Sequence, residues 1–484
     1  VNQGTAKQVA WRPIGLVAGI AGVIHLTVAT RYGWHHDEFY YVICGRHLAF
    51  GYVDQPPAAP VLARLADSVG GLFAIRLLAI AAQLACVVLT GVLAAQFGGR
   101  RTAQTLASAA VAACPMFVAA SMLWGTTVLD QVIWAALFVL VMRALRENQV
   151  RWWVGAGVVA GLGFESKDTV AVLMSGIAVG VFVHRRDVLR TPGPWIALAL
   201  TALLAAPNLA WDASHGWPNL TMDHVLSKQQ GGTLGSLLHF PELPLLLAGP
   251  PLIALWWAGL RWLRSPEGHE HRWLVPAIAV VPAVFVLGGG KVYYAAPLLI
   301  PLFAAGAVAV PSGWSGRNIR GIAISALAAA LIGLPFLPPA GSTALRVVNP
   351  ELMQTYGWPQ FTREVASAAA TQPADVPVFT SDFGEAGSLT ILGPAAGLHR
   401  PVYSGHDNYF YWGPPPGTPD SALCVGKFPP GYLNHYWNQV TEIAPITFPS
   451  GLKNMETEQH AAIYLCQQPR GSWAQLWPGL RHID

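Results

Sequence analysis

The chain has 484 residues, 53% hydrophobic and only 11% charged, with a net charge of +4 and a mean hydropathy of +0.42. A soluble domain carries about a quarter charged residues, so this composition excludes an ordinary soluble protein and points to an integral membrane protein. The small net charge and the lack of a polybasic tail argue against nucleic acid as a partner, and leave charge as a marker of topology.

In chain order, the first apolar run covers about residues 13–29. It reads as a retained span rather than a removed signal peptide, because further spans follow. A spanning helix needs about 20 mostly apolar residues. That rule gives about eleven candidates: 13–29, 71–95, 103–120, 128–145, 152–165, 168–183, 194–210, 241–260, 273–287, 294–310 and 319–337. One alternate set of loops holds fifteen Lys/Arg, from Lys7 and Arg12 to Arg317 and Arg320, against four acids. By the positive-inside rule these loops are cytoplasmic. The N-terminus is then cytoplasmic, while Asp37, Asp130, Lys167, Asp223, Lys291 and everything after residue 340 fall on the outer side.

The first outer loop, residues 30–70, opens with "RYGWHHDEFYY" (Arg31–Tyr41). Two amphipathic helices fit it, about 38–49 and 57–68, split by the turn "GYVDQPP". Such helices lie in the membrane interface, where a lipid head group arrives. After "LPFLPPAGS" (Leu334–Ser342) the long apolar runs stop. Short β-like stretches follow, such as "VPVFTSDFG" and "AAIYLCQQP". The expected architecture is an all-α polytopic membrane domain, residues 1–340, followed by a soluble α/β or α+β extracytoplasmic domain, residues 341–484. Cys424 and Cys466 lie in the second domain, where either a disulfide or two buried thiols fits. No metal-ligand cysteine spacing occurs.

The outer loops gather ionisable groups next to apolar spans: Asp37 and Glu38, then Asp130, then Glu165, Lys167 and Asp168 in "FESKD", then Lys291 with Tyr293 and Tyr294 in "GGGKVYY". Charge is costly in hydrocarbon, so each is a functional candidate. For any single Lys, snorkelling to the interface is an equal explanation. Together they suit transfer from a lipid-phosphate donor. A carboxylate accepts the proton of an attacking hydroxyl, while Lys167, Lys291 or Arg64 stabilises the departing phosphate. Trp34 and Tyr40 could pack against sugar or polyprenyl, or belong to the interfacial aromatic belt.

An Asp-Glu pair at the start of a long first outer loop resembles the GT-C glycosyltransferases, in the group of protein O-mannosyltransferases and the lipid A aminoarabinose transferase. "GWHHDEFYY", "GYVDQPP", "VLDQVIWAAL", "GLGFESKD" and "GGGKVYYAAPLLIPLFAAGA" carry the likeness over most of residues 1–340. "SDFGEAGSL" and "GHDNYFYWGPP" resemble the tail of bacterial members. The resemblance implies a multi-pass plasma-membrane (inner-membrane) enzyme. Its donor would be a polyprenyl-phosphate monosaccharide, hexose or pentose, and its acceptor an extracytoplasmic glycan, lipid or protein.

On this resemblance Asp37 is the catalytic base, and Glu38 orients the acceptor or holds the loop. Asp130 maps to the acid of the second outer loop and Lys291 to a phosphate ligand. Some members have a Lys where this chain has Gln55, which leaves the phosphate clamp incompletely assigned. His35 and His36 contact substrate or a metal. No cofactor is required by this reading, though a divalent metal held by Asp37, Asp130 and His36 would suit a related chemistry. A flippase and an inactive scaffold with a binding domain are the other classes that fit.

Overall fold

The computed structural model describes residues 7–310, 315–417, 419–448 and 452–483. The chain divides into two compact units. One holds Val1–Ala29, Ala49–Ala59 and Val69–Phe336; the other holds Thr30–Leu48, Pro60–Ser68 and Leu337–Asp484. Most of the first loop thus packs with the C-terminal segment, although sequence places it in the membrane domain.

The helices run α1 (Trp11–Leu26), α2 (His36–Arg46), α3 (Ala58–Gln96), α4 (Arg101–Ala112), α5 (Pro115–Ala120), α6 (Thr126–Glu147), α7 (Val150–Phe164), α8 (Thr169–His184) and α9 (Pro192–Ser214). They continue with α10 (Pro218–Gln229), α11 (Gly232–His239), α12 (Ile253–Arg264), α13 (Leu274–Leu287), α14 (Leu299–Ala309) and α15 (Gly316–Gly333). Every one of the eleven apolar segments carries helix. Among the described residues, however, only five helical stretches are long and apolar enough to cross a membrane alone, and a bent pair around Gly249 adds a sixth. Of the rest, Trp11–Leu26, Val150–Phe164 and Thr169–His184 are shorter apolar helices, and Pro115 separates α4 from α5. Proline lacks the N–H that continues a helix.

The sequence expectation of two interfacial helices meets α2 and the first part of α3. Gly70 and Gly71 break α3, with Gly71 at φ +57 and ψ −146. That region is open to glycine alone, so the amphipathic segment and the following span meet in a kink. Inside the helical unit α12 and α14 touch through small residues. A Cβ on Gly259 would meet the Leu302 carbonyl oxygen at 2.1 Å, and one on Gly306 the Leu255 oxygen at 1.9 Å. Small-residue seams let helix backbones approach closely in membranes.

The α/β unit is built on strands β1 (Val378–Thr380), β2 (Val402–Ser404), β3 (Ser421–Gly426), β4 (Trp437–Pro445) and β5 (Ala462–Pro469), in the order β2-β1-β3-β5-β4. β1 pairs in parallel with β2 and β3, while β5 runs antiparallel to β3 and β4. Around the sheet lie α16 (Pro339–Ser342), α17 (Trp358–Ala370), α18 (Phe383–Leu392), α19 (Asp407–Tyr411), α20 (Tyr432–Tyr436), α21 (Met455–Glu458) and α22 (Trp473–Leu480). Successive strand side chains face opposite ways. Val378 accordingly joins a core with Phe39, Trp358 and Leu389, and Phe379 joins another with Trp437, Trp473 and Trp477. Cys424 and Cys466 sit in the second core as buried free thiols on neighbouring strands.

Helix α18 starts in a capping box: Asp382 accepts from the Gly384 and Glu385 N–H groups, and Glu385 accepts from the Asp382 N–H. Glu385 and Glu456 are both buried, at 1% and 2% exposure. Burial and then the Glu456 charge push the Glu385 carboxyl up, and burial pushes Glu456 up to about 8. The folded state therefore keeps protons that the unfolded chain gives up above the ordinary glutamate value of 4.5. The resulting stability is full below that value and is lost as pH rises towards 8. We expect the unfolding temperature of this unit, followed by tryptophan fluorescence, to fall between pH 5 and 8. Glu456→Gln should flatten that dependence; an unchanged slope would refute the assignment.

Candidate functional site

In the α/β unit the site grows from the start of α2. His35 is the N-cap: its Nδ1 accepts from the Asp37 N–H at 3.2 Å, and Glu38 Oε2 accepts from the His35 N–H at 3.0 Å. Reciprocal capping satisfies two helix-end donors. Glu38 is fully buried and spends its carboxylate on that cap. His35 is fully buried as well, with Nε2 at 3.2 Å from Glu351 Oε2 and Nδ1 at 3.8 Å from Asp37 Oδ2. Burial pulls the His35 imidazole down, but the carboxylates of Asp37, Glu351 and Glu38 outweigh it and leave its pKa raised. Protonation at Nδ1 trades the cap bond for an ion pair with Asp37.

Asp37 follows at the helix N-terminus, about a third exposed, and its Oδ1 lies 3.1 Å from His36 Nε2. Burial lowers the pKa of His36 despite the Asp37 charge beside it. His35, His36 and Asp37 bring three ligand atoms within 4.8 Å of one another. At His35 a metal ion would compete with the Asp37 N–H for the Nδ1 lone pair. Trp34 stacks on Phe39 at 5.1 Å. Tyr40 is buried, stacks on Phe383 at 4.5 Å and accepts from the Asn408 N–H. Trp34 is half-buried, whereas Tyr40 is buried. Arg64 pairs with Asp67 at 3.7 Å.

In the helical unit a cavity of about 300 Å³ is lined by Asp54, Lys167, Asp168, Asn219, Asp223 and Lys291, among others. Lys167 stands in the turn between α7 and α8. Its Nζ donates to Thr127 Oγ1 at 3.4 Å and lies over the Tyr294 ring at 4.4 Å and the Tyr293 ring at 5.4 Å. Lys291 ends the turn Gly288–Gly290 and precedes a 3₁₀ segment, Val292–Leu298. Asp130, buried in the first turns of α6, accepts from Thr169 Oγ1 at 2.8 Å and lies in the field of Lys167. Gln55, between the cavity-lining Asp54 and Pro56, is buried, and its side-chain amide makes no hydrogen bond among the described residues.

The structure thus brings Lys167, Lys291 and Tyr294 to one cavity, with Asp130 and Tyr293 next to Lys167. It also brings Asp37 to His35 and His36. Arg64 belongs to the α/β unit and does not line the cavity. Sequence reasoning named no role for Asp54, Asn219 or Asp223. The one available signal was that Asp223 shares the side of the membrane assigned to the lysines.

Comparison with known proteins decides the fold. Over 94% of this chain and 98% of the other, the structure of ArnT from Cupriavidus metallidurans bound to undecaprenyl phosphate superposes with a TM-score of 0.64 at 14% identity. The chain carries the GT-C glycosyltransferase fold. A mycobacterial arabinofuranosyltransferase, AftD, matches with a TM-score of 0.50 at 15% identity, over 95% of this chain and 42% of that one. A family model described as dolichyl-phosphate-mannose-protein mannosyltransferase matches residues 54–211. The lipid A galacturonosyltransferase RgtD of Rhizobium johnstonii is 24% identical over 247 residues, 49% of this chain and 52% of that protein. The chain thus aligns with about half the length of this curated relative. The family match takes in Asp54, Asp130 and Lys167 of the GT-C unit but leaves out Asp37 and Lys291.

Proposed function

We propose that this protein is an integral-membrane glycosyltransferase that moves a monosaccharide from a polyprenyl-phosphate donor to an extracytoplasmic acceptor. The observation that carries this reading is the cavity holding Lys167 and Lys291 within a GT-C fold. Two ammonium groups suit a phosphodiester and then the phosphate monoester that leaves. Asp37 serves as base. The acceptor oxygen bonds to the anomeric carbon, the carbon–phosphate-oxygen bond breaks, and the phosphate departs with the electron pair. The hydroxyl proton passes to the Asp37 carboxylate late, once the new bond has made it acidic. Glu38, fixed by its cap, holds the loop. The protein belongs in the plasma membrane, with its N-terminus cytoplasmic and the α/β unit outside.

The test is consumption of polyprenyl-phosphate monosaccharides, in a panel, by the purified protein in lipid nanodiscs. Turnover of one donor supports the reading, and no turnover of any sugar refutes it. Arg64→Ala should change the donor KM by less than about threefold, because an exposed ion pair contributes little; a tenfold rise would return Arg64 to the phosphate site. A second reading adds a divalent metal at His36 and Asp37, supported by the convergence of ligand atoms there. Activity abolished by a chelator and restored by one metal would select it.

A further inference from the structure

The fully buried ring of His35 is hydrogen-bonded at both nitrogens. Nδ1 accepts from the Asp37 N–H at 3.2 Å, and Nε2 bonds to Glu351 Oε2 at 3.2 Å. A neutral imidazole has one bare nitrogen and one N–H. The nitrogen that accepts from the backbone must be the bare one, so the proton sits on Nε2 and donates to Glu351. The two bonds require one another. With the proton on Nδ1, two donors would face each other at Asp37, and a bare Nε2 would face a carboxylate, which only accepts.

Packing brings Glu351 to this place. It belongs to a 3₁₀ segment, Pro350–Thr355, in which Leu352, Met353 and Thr355 are buried. This stretch and the residues after it lie against the start of α2 at three points. Tyr356 meets the edge of Tyr32 at 5.5 Å, and Trp358 meets the edge of Phe39 at 5.8 Å. Between them, a Cβ on Gly33 would stand 3.3 Å from the Thr355 carbonyl oxygen. Gly33 has φ +101, a conformation that suits glycine. The close approach leaves the Glu351 carboxylate, half exposed, within reach of the buried Nε2.

We propose that Glu351 is a positioning residue for Asp37 and acts through His35. It selects the tautomer whose bare Nδ1 holds the Asp37 N–H, and so fixes where the first turn of α2 places the Asp37 carboxylate. The inference rests on the reading of Asp37 as base. Glu351 takes no part in the proton transfer, and His35 keeps its Nε2 proton throughout.

The first experiment is NMR of the full chain in nanodiscs, isotope-labelled at the histidine ring nitrogens, at alkaline pH where the ring is neutral. The His35 signals are those missing from His35→Asn. Wild type should show His35 protonated at Nε2 and bare at Nδ1; a proton on Nδ1 overturns the proposal without any variant at Glu351. Kinetics at the same pH then compare Glu351→Leu with Glu351→Gln. Misplacing a reacting group by about 1 Å costs about 100-fold. Glu351→Leu should lose about 10–100-fold in kcat, with the donor KM within about twofold, and its His35 proton should move in part to Nδ1. Glu351→Gln keeps an oxygen that accepts from Nε2–H and should recover most of the loss. Kcat within threefold of wild type in Glu351→Leu overturns the role. Equal losses in the Gln and Leu variants, both unfolding at the wild-type temperature, overturn it too, since the charge rather than the acceptor would then matter. An Asp37→Asn variant that keeps full activity defeats the base assignment instead, whatever the tautomer of His35.

Discussion

Asp37→Asn should lower the rate of sugar transfer by about a thousandfold, the middle of the range for loss of a general base. The substitution is nearly isosteric. The new carboxamide would keep an oxygen for His36 Nε2, now at 3.1 Å from Oδ1, and the backbone N–H that caps onto His35 would be unchanged. The side chain would lose the ability to take a proton. Donor KM should stay within about twofold, since Asp37 is given no part in phosphate binding. One secondary effect follows from the charge. Asp37 is the foremost of the carboxylates that raise the pKa of His35 against burial, so His35 should titrate lower in the variant, as read by NMR of the imidazole. Full transfer activity together with that lowered titration would mean that Asp37 tunes His35 and that the base lies elsewhere.

The parts of the fold legible in sequence were those that one segment decides alone. Eleven apolar runs become helix because their composition favours it locally. Whether a run is long enough to span depends on breaks such as Pro115 and Gly70–Gly71, whose effect is set by packing. Glu38 was legible as a helix N-terminal group, three residues after the cap. His35 as that cap was not, because histidine is not among the residues that usually cap helices. Trp34 and Tyr40 were open to a sugar-facing reading because an aromatic next to a polar cluster has the same composition whether it lines a site or fills a core. In the fold Trp34 stacks on Phe39 and Tyr40 on Phe383. Asp54, Asn219 and Asp223 were missed for a different reason. The cavity assembles from the first loop, the start of α8, α10 and the glycine turn before Lys291. Sidedness could put these residues on one surface, but only folding puts them around one cavity.

Lys291→Ala should reduce kcat/KM for the donor by about 10–100-fold, the loss of one charge-assisted hydrogen bond to phosphate. Its thermal stability should match wild type, because Lys291 is half-buried at the end of a glycine turn. Lys167→Met should show the same catalytic loss with an added structural cost. Its ammonium lies in the field of Asp130, a carboxylate at 3% exposure that also accepts from the Thr169 hydroxyl. Removing the cation leaves a buried charge uncompensated, which is more costly than never having had the pair. Adding Asp130→Asn to Lys167→Met should therefore restore the unfolding temperature without restoring turnover. That separation distinguishes the two jobs of Lys167: neutralising Asp130 and meeting the phosphate. If the double variant recovered turnover as well, Lys167 would serve Asp130 alone, and the phosphate would rest on Lys291. If the Lys291 variant kept full kcat/KM while Lys167→Met lost it, the clamp would be a single lysine.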